Sequence, residues 1–260
     1  MATNRLKTES ITYNILPDKL LEFVNKMIDL TRINDVIKFT FDKDNLLIYS
    51  CAGVNDNIHC FKSFVFKIDE LFEKVNKQLE EPVIFILSDA KKVSQVLRFY
   101  QKFEDIIELK VYYNEDNNSE KVVFKNSKLK DEISGSPAIT MKANIDMEQI
   151  SETMDTSLAE YSFKLNKKDF DILKAKASLE KTNDIYYLNI KDGKVYLGEN
   201  KSRIYVDDVE HENCSISFPK KYFNTMNFEG SDELVIWIFE TFVLALSDKT
   251  NLLITTELSV

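Results

Sequence analysis

The feature that most constrains the fold is a repeated order of secondary-structure elements. Each half of the 260-residue sequence predicts a strand, a helix and several strands, followed by a second helix and further strands. The helices are predicted at 17–32 and 89–103 in the first half, and at 167–179 and 219–227 in the second. Identity between the halves is weak, so the repeat lies in the order of elements. The sequence therefore predicts an α+β protein with two similar domains.

Two segments of the first half need separate predictions. The segment 68–80 has apolar residues at a helical period and no counterpart in the second half, so we expect a helical insertion there. The polar segment 126–137 is predicted to be a loop, and residues 138–144 a further strand.

The two predicted domains are joined by an acidic segment. Residues 146–157, DMEQISETMDTS, show no clear period and are predicted to form an extended connector. The predicted N-terminal domain is then 1–145, and the predicted C-terminal domain is 158–260.

A basic stripe lies along one face of the second predicted helix, 89–103. Its polar face carries Lys91, Gln95, Arg98 and Lys102. Its opposite face carries Val93, Val96, Leu97, Tyr100 and Phe103. This division predicts a helix with one side on a core and one side presenting cations. Ser88 or Asp89 is expected to cap its N-terminus.

Charge is segregated along the chain. The sequence has 34 basic and 43 acidic side chains, a net charge of −9. The predicted helices 89–103, 167–178 and 219–227 carry +3, +2 and +2, while helix 17–32 is neutral, so the rest of the chain carries −16. For one helix alone, a solvated face is the commoner explanation. Matched placement in both halves instead indicates a surface that approaches phosphates.

Other features restrict the class of protein. Cys51, Cys60 and Cys214 have no CxxC spacing and are interpreted as reduced cysteines, without a disulfide or metal role. The polar N-terminus predicts no signal peptide. The apolar run 234–246 is broken by Glu240 and Thr241, which favours two strands over a membrane span. We therefore expect a soluble, intracellular protein.

Catalytic chemistry has weak support in the sequence. His59 adjoins Cys60, but neighbours in a strand point to opposite faces. His211 stands among Asp207, Asp208 and Glu210, where a solvated acidic loop is a commoner explanation than a divalent-cation site. No glycine-rich phosphate loop is present. We predict no enzymatic activity, no cofactor and no metal, while an α+β enzyme with an unrecognised site remains an alternative.

Three stretches resemble the PCNA-type DNA sliding clamps. IDMEQI at 145–150 resembles the interdomain connector, AEYSFKLNKKDFDIL at 159–173 the strand and helix that follow it, and KKYFNTMNF at 220–228 the last helix. The second half is also similar to the T4-type phage clamps. The element order extends the resemblance over nearly the whole chain, but the residues extend it only over the connector and second half.

The resemblance implies a DNA polymerase processivity factor. Each chain would hold two clamp domains, each with two helices on antiparallel sheets, and a homotrimer would close a six-domain ring around double-stranded DNA without sequence readout. The implied partners are a DNA polymerase, a clamp-loader ATPase and other clamp-binding replication or repair proteins, with no membrane. The implied location is the nucleus or a viral replication compartment.

The resemblance also assigns roles to residues. The implied DNA-binding residues are Lys19, Lys26, Lys91, Lys92, Arg98, Lys102, Lys167, Lys168, Lys174, Lys220 and Lys221. Ile150 and Met154 would line a groove for partner peptides. Subunits would join through strand 138–144 of one chain and strand 202–207 of the next.

Glu152 stands where a second apolar connector residue is expected, a departure that bears on partner specificity. The insertion 68–80 and the low glycine count also depart from the cellular pattern, and they suggest a divergent member of viral origin. A monomeric viral processivity factor that holds DNA on a basic face is the alternative within the same fold.

Overall fold

The structure, a computed structural model, describes residues 9–54, 57–136, 152, 154–179, 184–199, 202–228, 230–247, 250–255 and 257–258. The chain divides into two units. The first comprises Met1–Cys51 and Ser63–Asn144, and the second comprises Ala52–Lys62 and Ile145–Val260. Residues 52–62 therefore group with the second unit, which the linear division of the sequence into 1–145 and 158–260 does not anticipate.

The first unit contains three helices and most of the strands β1 to β9. The helices are α1 (Pro17–Leu30), α2 (Ile68–Leu71) and α3 (Ala90–Leu97), which continues as a 3-10 turn over Arg98–Lys102. The strands are β1 (Glu9–Ile15), β2 (Ile37–Phe41), β3 (Asn45–Val54), β4 (Asn57–Lys67), β5 (Lys74–Val75), β6 (Val83–Leu87), β7 (Ile107–Tyr113), β8 (Asn118–Lys125) and β9 (Lys130–Ser134).

The core of the first unit lies between its helices and one sheet face. Helix α1 begins at Pro17, whose fixed φ suits a first-turn position. Its buried residues include Leu20 and Phe23, and both join the same hydrophobic cluster as Leu97 of α3. Alternate strand residues such as Ile11 and Ile37 complete that cluster. Both helices therefore turn one face to the sheet and the other to solvent.

Helix α3 is capped from a distant part of the chain. The backbone N–H of Lys91 donates to Asp35 Oδ1 (2.6 Å), and that of Ala90 donates to the Asp35 carbonyl oxygen (3.0 Å). Asp89 occupies the N-cap position with φ 57°, and its side chain makes no capping hydrogen bond. The predicted cap by Ser88 or Asp89 is therefore wrong, because the loop before β2 brings in a carboxylate that satisfies the same donors.

The predicted helical insertion at 68–80 is wrong beyond its first turn. Helix α2 ends at Leu71, and Phe72 has extended backbone angles. The N–H of Glu73 donates to the carbonyl of Asn14 (2.8 Å), and strand β5 pairs with β1. The apolar period fitted a helix, but the exposed edge of β1 offers backbone partners that an extended chain satisfies.

The predicted loop at 126–137 is wrong in part. Strand β9 lies within it and pairs antiparallel with β8 from Lys121↔Ser134 to Lys125↔Lys130. Asn126 makes the turn, since its Oδ1 accepts from the N–H groups of Lys128 (2.9 Å) and Leu129 (2.7 Å). The predicted strand at 138–144 lies outside the described residues.

The second unit repeats the same elements. Its helices are α4 (Lys167–Leu179) and α5 (Lys220–Phe223), with a 3-10 turn at Thr156–Leu158. Its strands are β10 (Tyr161–Asn166), β11 (Ile185–Lys191), β12 (Lys194–Glu199), β13 (Ser202–Asp208), β14 (Cys214–Pro219), β15 (Glu233–Ile238), β16 (Phe242–Leu246), β17 (Thr250–Thr255) and β18 (Glu257–Leu258).

Local signals in the second unit act largely as the sequence predicts. The Asp169 N–H donates to Asn166 Oδ1 (2.9 Å), which is an N-cap of α4. Helix α5 ends at Phe223, earlier than its predicted end at 227. The segment 234–246 forms two strands, β15 and β16, as predicted. Among the described residues, no helix combines the length and apolar composition needed to cross a membrane.

Strand pairing shows that the two units share one topology. In each unit the first strand pairs antiparallel with the strand after the last helix, β1 with β7 and β10 with β15. β2 pairs with β3 and β6, as β11 pairs with β12 and β14. The meander β7–β8–β9 matches β15–β16–β17. The predicted α+β repeat is confirmed. Among the described residues, each unit adds pairings of its own: β1 with β5 and a short parallel contact of β6 with β8 in the first unit, and β14 with β18 in the second.

The Asp35 cap can be tested by mutation. Asp35→Ala removes the side-chain acceptor for the Lys91 N–H while leaving the carbonyl acceptor, so we expect a loss of about 1 kcal/mol in the free energy of unfolding. The measurement is the urea midpoint. Glu104→Ala, which removes an exposed carboxylate after the 3-10 turn, serves as the matched control. Equal midpoints for the two variants would contradict the capping role.

Candidate nucleic-acid interface

Helix α3 and its 3-10 turn present the predicted basic stripe to solvent. Ala90, Ser94, Leu97 and Tyr100 are buried. The exposed residues are Lys91, Lys92, Gln95, Arg98, Phe99 and Lys102. The division between core and solvent follows the sequence pattern, although the helix tightens to a 3-10 turn at Arg98.

Helix α1 packs against α3 and its turn, but its own charges are balanced. Lys19 Nζ lies 3.9 Å from Glu22, and Arg32 lies 3.4 Å from Asp29. Lys26 Nζ sits 4.6 Å from the centre of the Phe64 ring, a cation–π contact that leaves it half-buried. The cationic surface of the first unit therefore lies mainly on α3, joined to α1 by the Arg98 Nη2 to Asn25 Oδ1 contact of 3.4 Å.

Helix α4, which occupies the place of α1 in the repeat, presents the main cationic surface of the second unit. Its exposed cations are Lys167, Lys168, Lys174 and Lys176. The helix is anchored by Phe170, whose ring centre lies 5.9 Å from that of Phe223 and 5.3 Å from that of Phe228. Lys174 Nζ lies 5.1 Å from the Phe170 ring and stays exposed. This aromatic cluster also joins α4 to α5.

The two predicted lysines of α5 have different surroundings. Lys220 forms an ion pair with Glu199, whose side chain is 6% exposed, while that of Lys220 is 13% exposed. Its Nζ also lies 5.6 Å from the Tyr186 ring, and burial raises the pKa of Tyr186 to about 12. Lys221 is exposed and lies over the neighbouring Tyr222 ring at 4.5 Å. Glu199 is far away in sequence, so no local pattern revealed the pairing of Lys220.

The sheets also carry some cations. Tyr112 on β7 lies between Lys110 Nζ at 5.0 Å and Lys121 Nζ at 4.9 Å. Lys121 is further paired with Glu132 at 3.2 Å. The helices are therefore basic in net charge and the rest of the chain is acidic, although individual lysines also lie on the strands.

Of the predicted connector 146–157, the structure describes residue 152 and residues 154–157. Ile150, a predicted groove residue, lies outside the described residues, while Met154 is half-buried and Glu152 is exposed. The Asp155 side chain accepts from the Ser157 N–H (2.9 Å). Hydrogen bonding with the Ser157 side chain, and then with its N–H, lowers the pKa of Asp155. Leu158, to which the sequence pattern assigned no role, is 69% exposed.

The edge strand predicted to join subunits is present in the second unit. β13 ends the order β13–β12–β11–β14–β18 of the five-stranded sheet. Tyr205, at its centre, is 50% exposed. Its Tyr196 neighbour on β12 meets it edge to face at 6.2 Å. The hydrogen bond to Asp208 is the largest cause of the raised pKa of Tyr205.

The histidines considered for an enzymatic role, His59 and His211, do not form a catalytic or metal site. His59 is exposed, whereas Cys60 on the next position of β4 is fully buried, so the two side chains point to opposite faces as predicted. The His211 ring packs 4.4 Å from that of Tyr161, and its Nδ1 contacts the Glu212 carbonyl. Within the described part of the chain, no group of three or more histidine, cysteine or acidic side chains is arranged to hold a metal ion.

Comparison with known proteins identifies the fold. No protein-family model matches the sequence, and no curated protein matches it. Solved structures do match. The chain is similar to the PCNA2–PCNA3 complex of Sulfolobus tokodaii, with a TM-score of 0.59, 14% identity, and coverage of 95% of this chain and 99% of that one. It is also similar to A. fulgidus PCNA bound to the C-terminal region of FEN-1, with a TM-score of 0.59 and 12% identity over 96% and 99% of the two chains.

Bacterial beta clamps match as well. The Helicobacter pylori beta clamp bound to a DNA ligase peptide has a TM-score of 0.65 and 10% identity, over 95% of this chain and 66% of that one. The chain thus spans about two thirds of the beta clamp and nearly all of the PCNA chains. It has the fold of the PCNA-type and beta sliding clamps, which confirms the PCNA-type fold that the sequence resemblance predicted.

The buried Lys220–Glu199 pair gives a direct test of the different roles of the two α5 lysines. Lys220→Ala leaves the Glu199 carboxylate buried without this partner, so we expect a loss of about 3 kcal/mol in the free energy of unfolding. Lys221→Ala, which removes an exposed lysine one position away, should change it by less than about 0.5 kcal/mol. The measurement is urea unfolding of the full chain. Similar losses for both variants would contradict the structural role of Lys220.

Proposed function

We propose that this protein is a DNA sliding clamp, a processivity factor that encircles duplex DNA and tethers replication proteins. The observation that carries the proposal is that each repeat exposes cations on one of its sheet-packed helices: α3, the helix before β7, in the first unit and α4, the helix after β10, in the second. In a chain with a net charge of −9, this placement favours contact with phosphates through the helices and repulsion elsewhere.

The side chains suit a contact that slides. Lysine and arginine on a helix face meet phosphates as separate charges and read no base sequence. The proposed contacts are Lys91, Lys92, Arg98, Lys102, Lys167, Lys168, Lys174 and Lys221, with Lys19 and Lys26 in secondary places because they are engaged within the protein. Lys220 is assigned to the structure of the second unit.

The proposed assembly is a homotrimeric ring. The chain has the length of the PCNA chains that it matches, so two repeats per subunit suit three subunits and six domains. We place the subunit junction at β13, pairing with the segment 138–144 of the next chain. The terminal position of β13 in its sheet and the exposed side chain of Tyr205 support this choice, since the edge strand of a sheet is normally covered.

The proposed partners follow from the relatives. One beta clamp binds a DNA ligase peptide, and one PCNA binds the C-terminal region of FEN-1. For this chain we propose a DNA polymerase, a clamp-loader ATPase and other replication or repair proteins, with Ile150, Met154 and the exposed Leu158 at the docking groove. We propose no catalytic activity, and a place of action in the nucleus or a viral replication compartment.

Charge reversal on α3 tests the DNA contact. The triple change Lys91→Glu, Arg98→Glu and Lys102→Glu should weaken duplex binding and shorten processive synthesis by the polymerase. The slope of log affinity against log salt should fall by about one unit for each lost phosphate contact. Equilibrium binding over a salt series and the length of extension products measure the two effects.

The control for charge reversal uses the β8–β9 hairpin. Lys125→Glu, Lys128→Glu and Lys130→Glu change the net charge by the same amount on exposed residues of the same unit. This variant should keep the wild-type salt slope and product length. Equal effects of the two triple variants would mean that net charge, and not the α3 surface, governs DNA association.

A further inference from the structure

The basic surface of α3 and its 3-10 turn includes one exposed aromatic side chain, Phe99, although phenylalanine is mostly buried in this protein. The chain has 18 phenylalanines, and all lie among the described residues. Fifteen are buried and two are half-buried, while Phe99 alone is 53% exposed. A phosphate contact has no use for an apolar ring, so the charge pattern does not account for Phe99.

The position of Phe99 is fixed by its neighbour. Tyr100 is fully buried, and its hydroxyl donates to the carbonyl of Phe124 and meets Asp131 Oδ2, both at 2.8 Å. With Tyr100 held inward, the 3-10 turn must direct Phe99 outward. The ring is therefore presented on a rigid support and needs little ordering when a ligand binds.

Cations lie on both sides of Phe99 along the chain. Lys102, three residues further on and on the same side of the 3-10 turn, places its Nζ 5.0 Å from the ring centre. Arg98 precedes Phe99, and Gln95 and Lys92 lie one and two turns before it; all are exposed. The nearest acid along the chain is Glu104, which is also exposed. A flat apolar face within a cationic surface matches a ligand that joins flat aromatic groups to phosphates.

We propose that Phe99 stacks on an unpaired base, so that the α3 surface binds single-stranded DNA as well as duplex. In a duplex the bases are paired and stacked on each other, and a ring that enters no groove cannot reach their faces. In a single strand each base exposes a face, while the phosphates on either side meet Arg98 and Lys102. The inference rests on the proposed function only in that DNA is the ligand.

Stacking predicts a specific pattern of affinities. The probes are fluorescent oligo(dT), an abasic strand of the same length, and a duplex of that length, at low salt. The wild-type protein should bind oligo(dT) about tenfold more tightly than the abasic strand, because one stacked base adds this factor at equal backbone charge. Phe99→Ala should bind the two strands equally and keep its duplex affinity. Ile106→Ala, which removes an exposed apolar side chain of the same unit outside α3 and its 3-10 turn, should behave as the wild type.

A second variant reports stacking directly. Phe99→Trp should keep the preference for oligo(dT), and its fluorescence should be quenched by oligo(dT) but not by the abasic strand or the duplex. The native Trp237 is the only tryptophan of the chain, so wild-type protein supplies the background. Thermal unfolding of each variant verifies that the fold is retained.

The contrary results are distinct. Equal affinity of the wild type for oligo(dT) and the abasic strand, an unchanged preference in Phe99→Ala, or quenching by the duplex would each overturn the stacking role. The stacking role would also be overturned if Phe99→Ala weakened binding to a protein partner and left binding to both single strands unchanged. Wild-type protein that binds duplex but no single strand would overturn this inference and leave the proposed clamp function standing.

Discussion

The structure of each repeat depends on one pairing: its first strand lies antiparallel to the strand that follows its last helix. This pairing joins β1 to β7 in the first unit and β10 to β15 in the second. Because one helix follows the first strand and the other precedes its partner, closing the pair brings the two helices together on one face of the sheet. Leu20 of α1 and Leu97 of α3 then share a core, and Phe170 of α4 meets Phe223 of α5.

That pairing also decides what the helices can offer to a ligand. With their apolar faces held on the sheet, the opposite faces are exposed together, and the chain places lysine and arginine there. The net negative charge of the remainder would hold DNA away from other surfaces. The surface is not a uniform layer of charge: Lys220 supports the second unit through Glu199, and Phe99 adds an apolar face among cations. We infer that duplex and single-stranded DNA share the cations of α3 and that only a single strand uses the Phe99 ring.

Sequence predicted the parts of this fold that depend on near neighbours. The period of α1, the Asn166 cap and the exposed stripe of α3 are set within a few residues, and each is found where expected. The misses depend on distant partners. The segment 68–80 has a helical period but pairs in part with β1, and the α3 cap comes from Asp35. The ion pair of Lys220 is likewise invisible in a local pattern. Phe99 could have been noticed, because a helix that continued past Leu97 puts it on the polar side.

The central claim is that the protein encircles DNA instead of holding it on an open face. Retention on a linear duplex whose ends are closed by bulky groups after binding tests it most directly. In high salt, where phosphate contacts are weakened, a closed ring should stay on the blocked duplex and leave when a restriction cut frees an end. Equally rapid loss from blocked and cut DNA would contradict encirclement and favour a monomer that binds DNA on one basic surface.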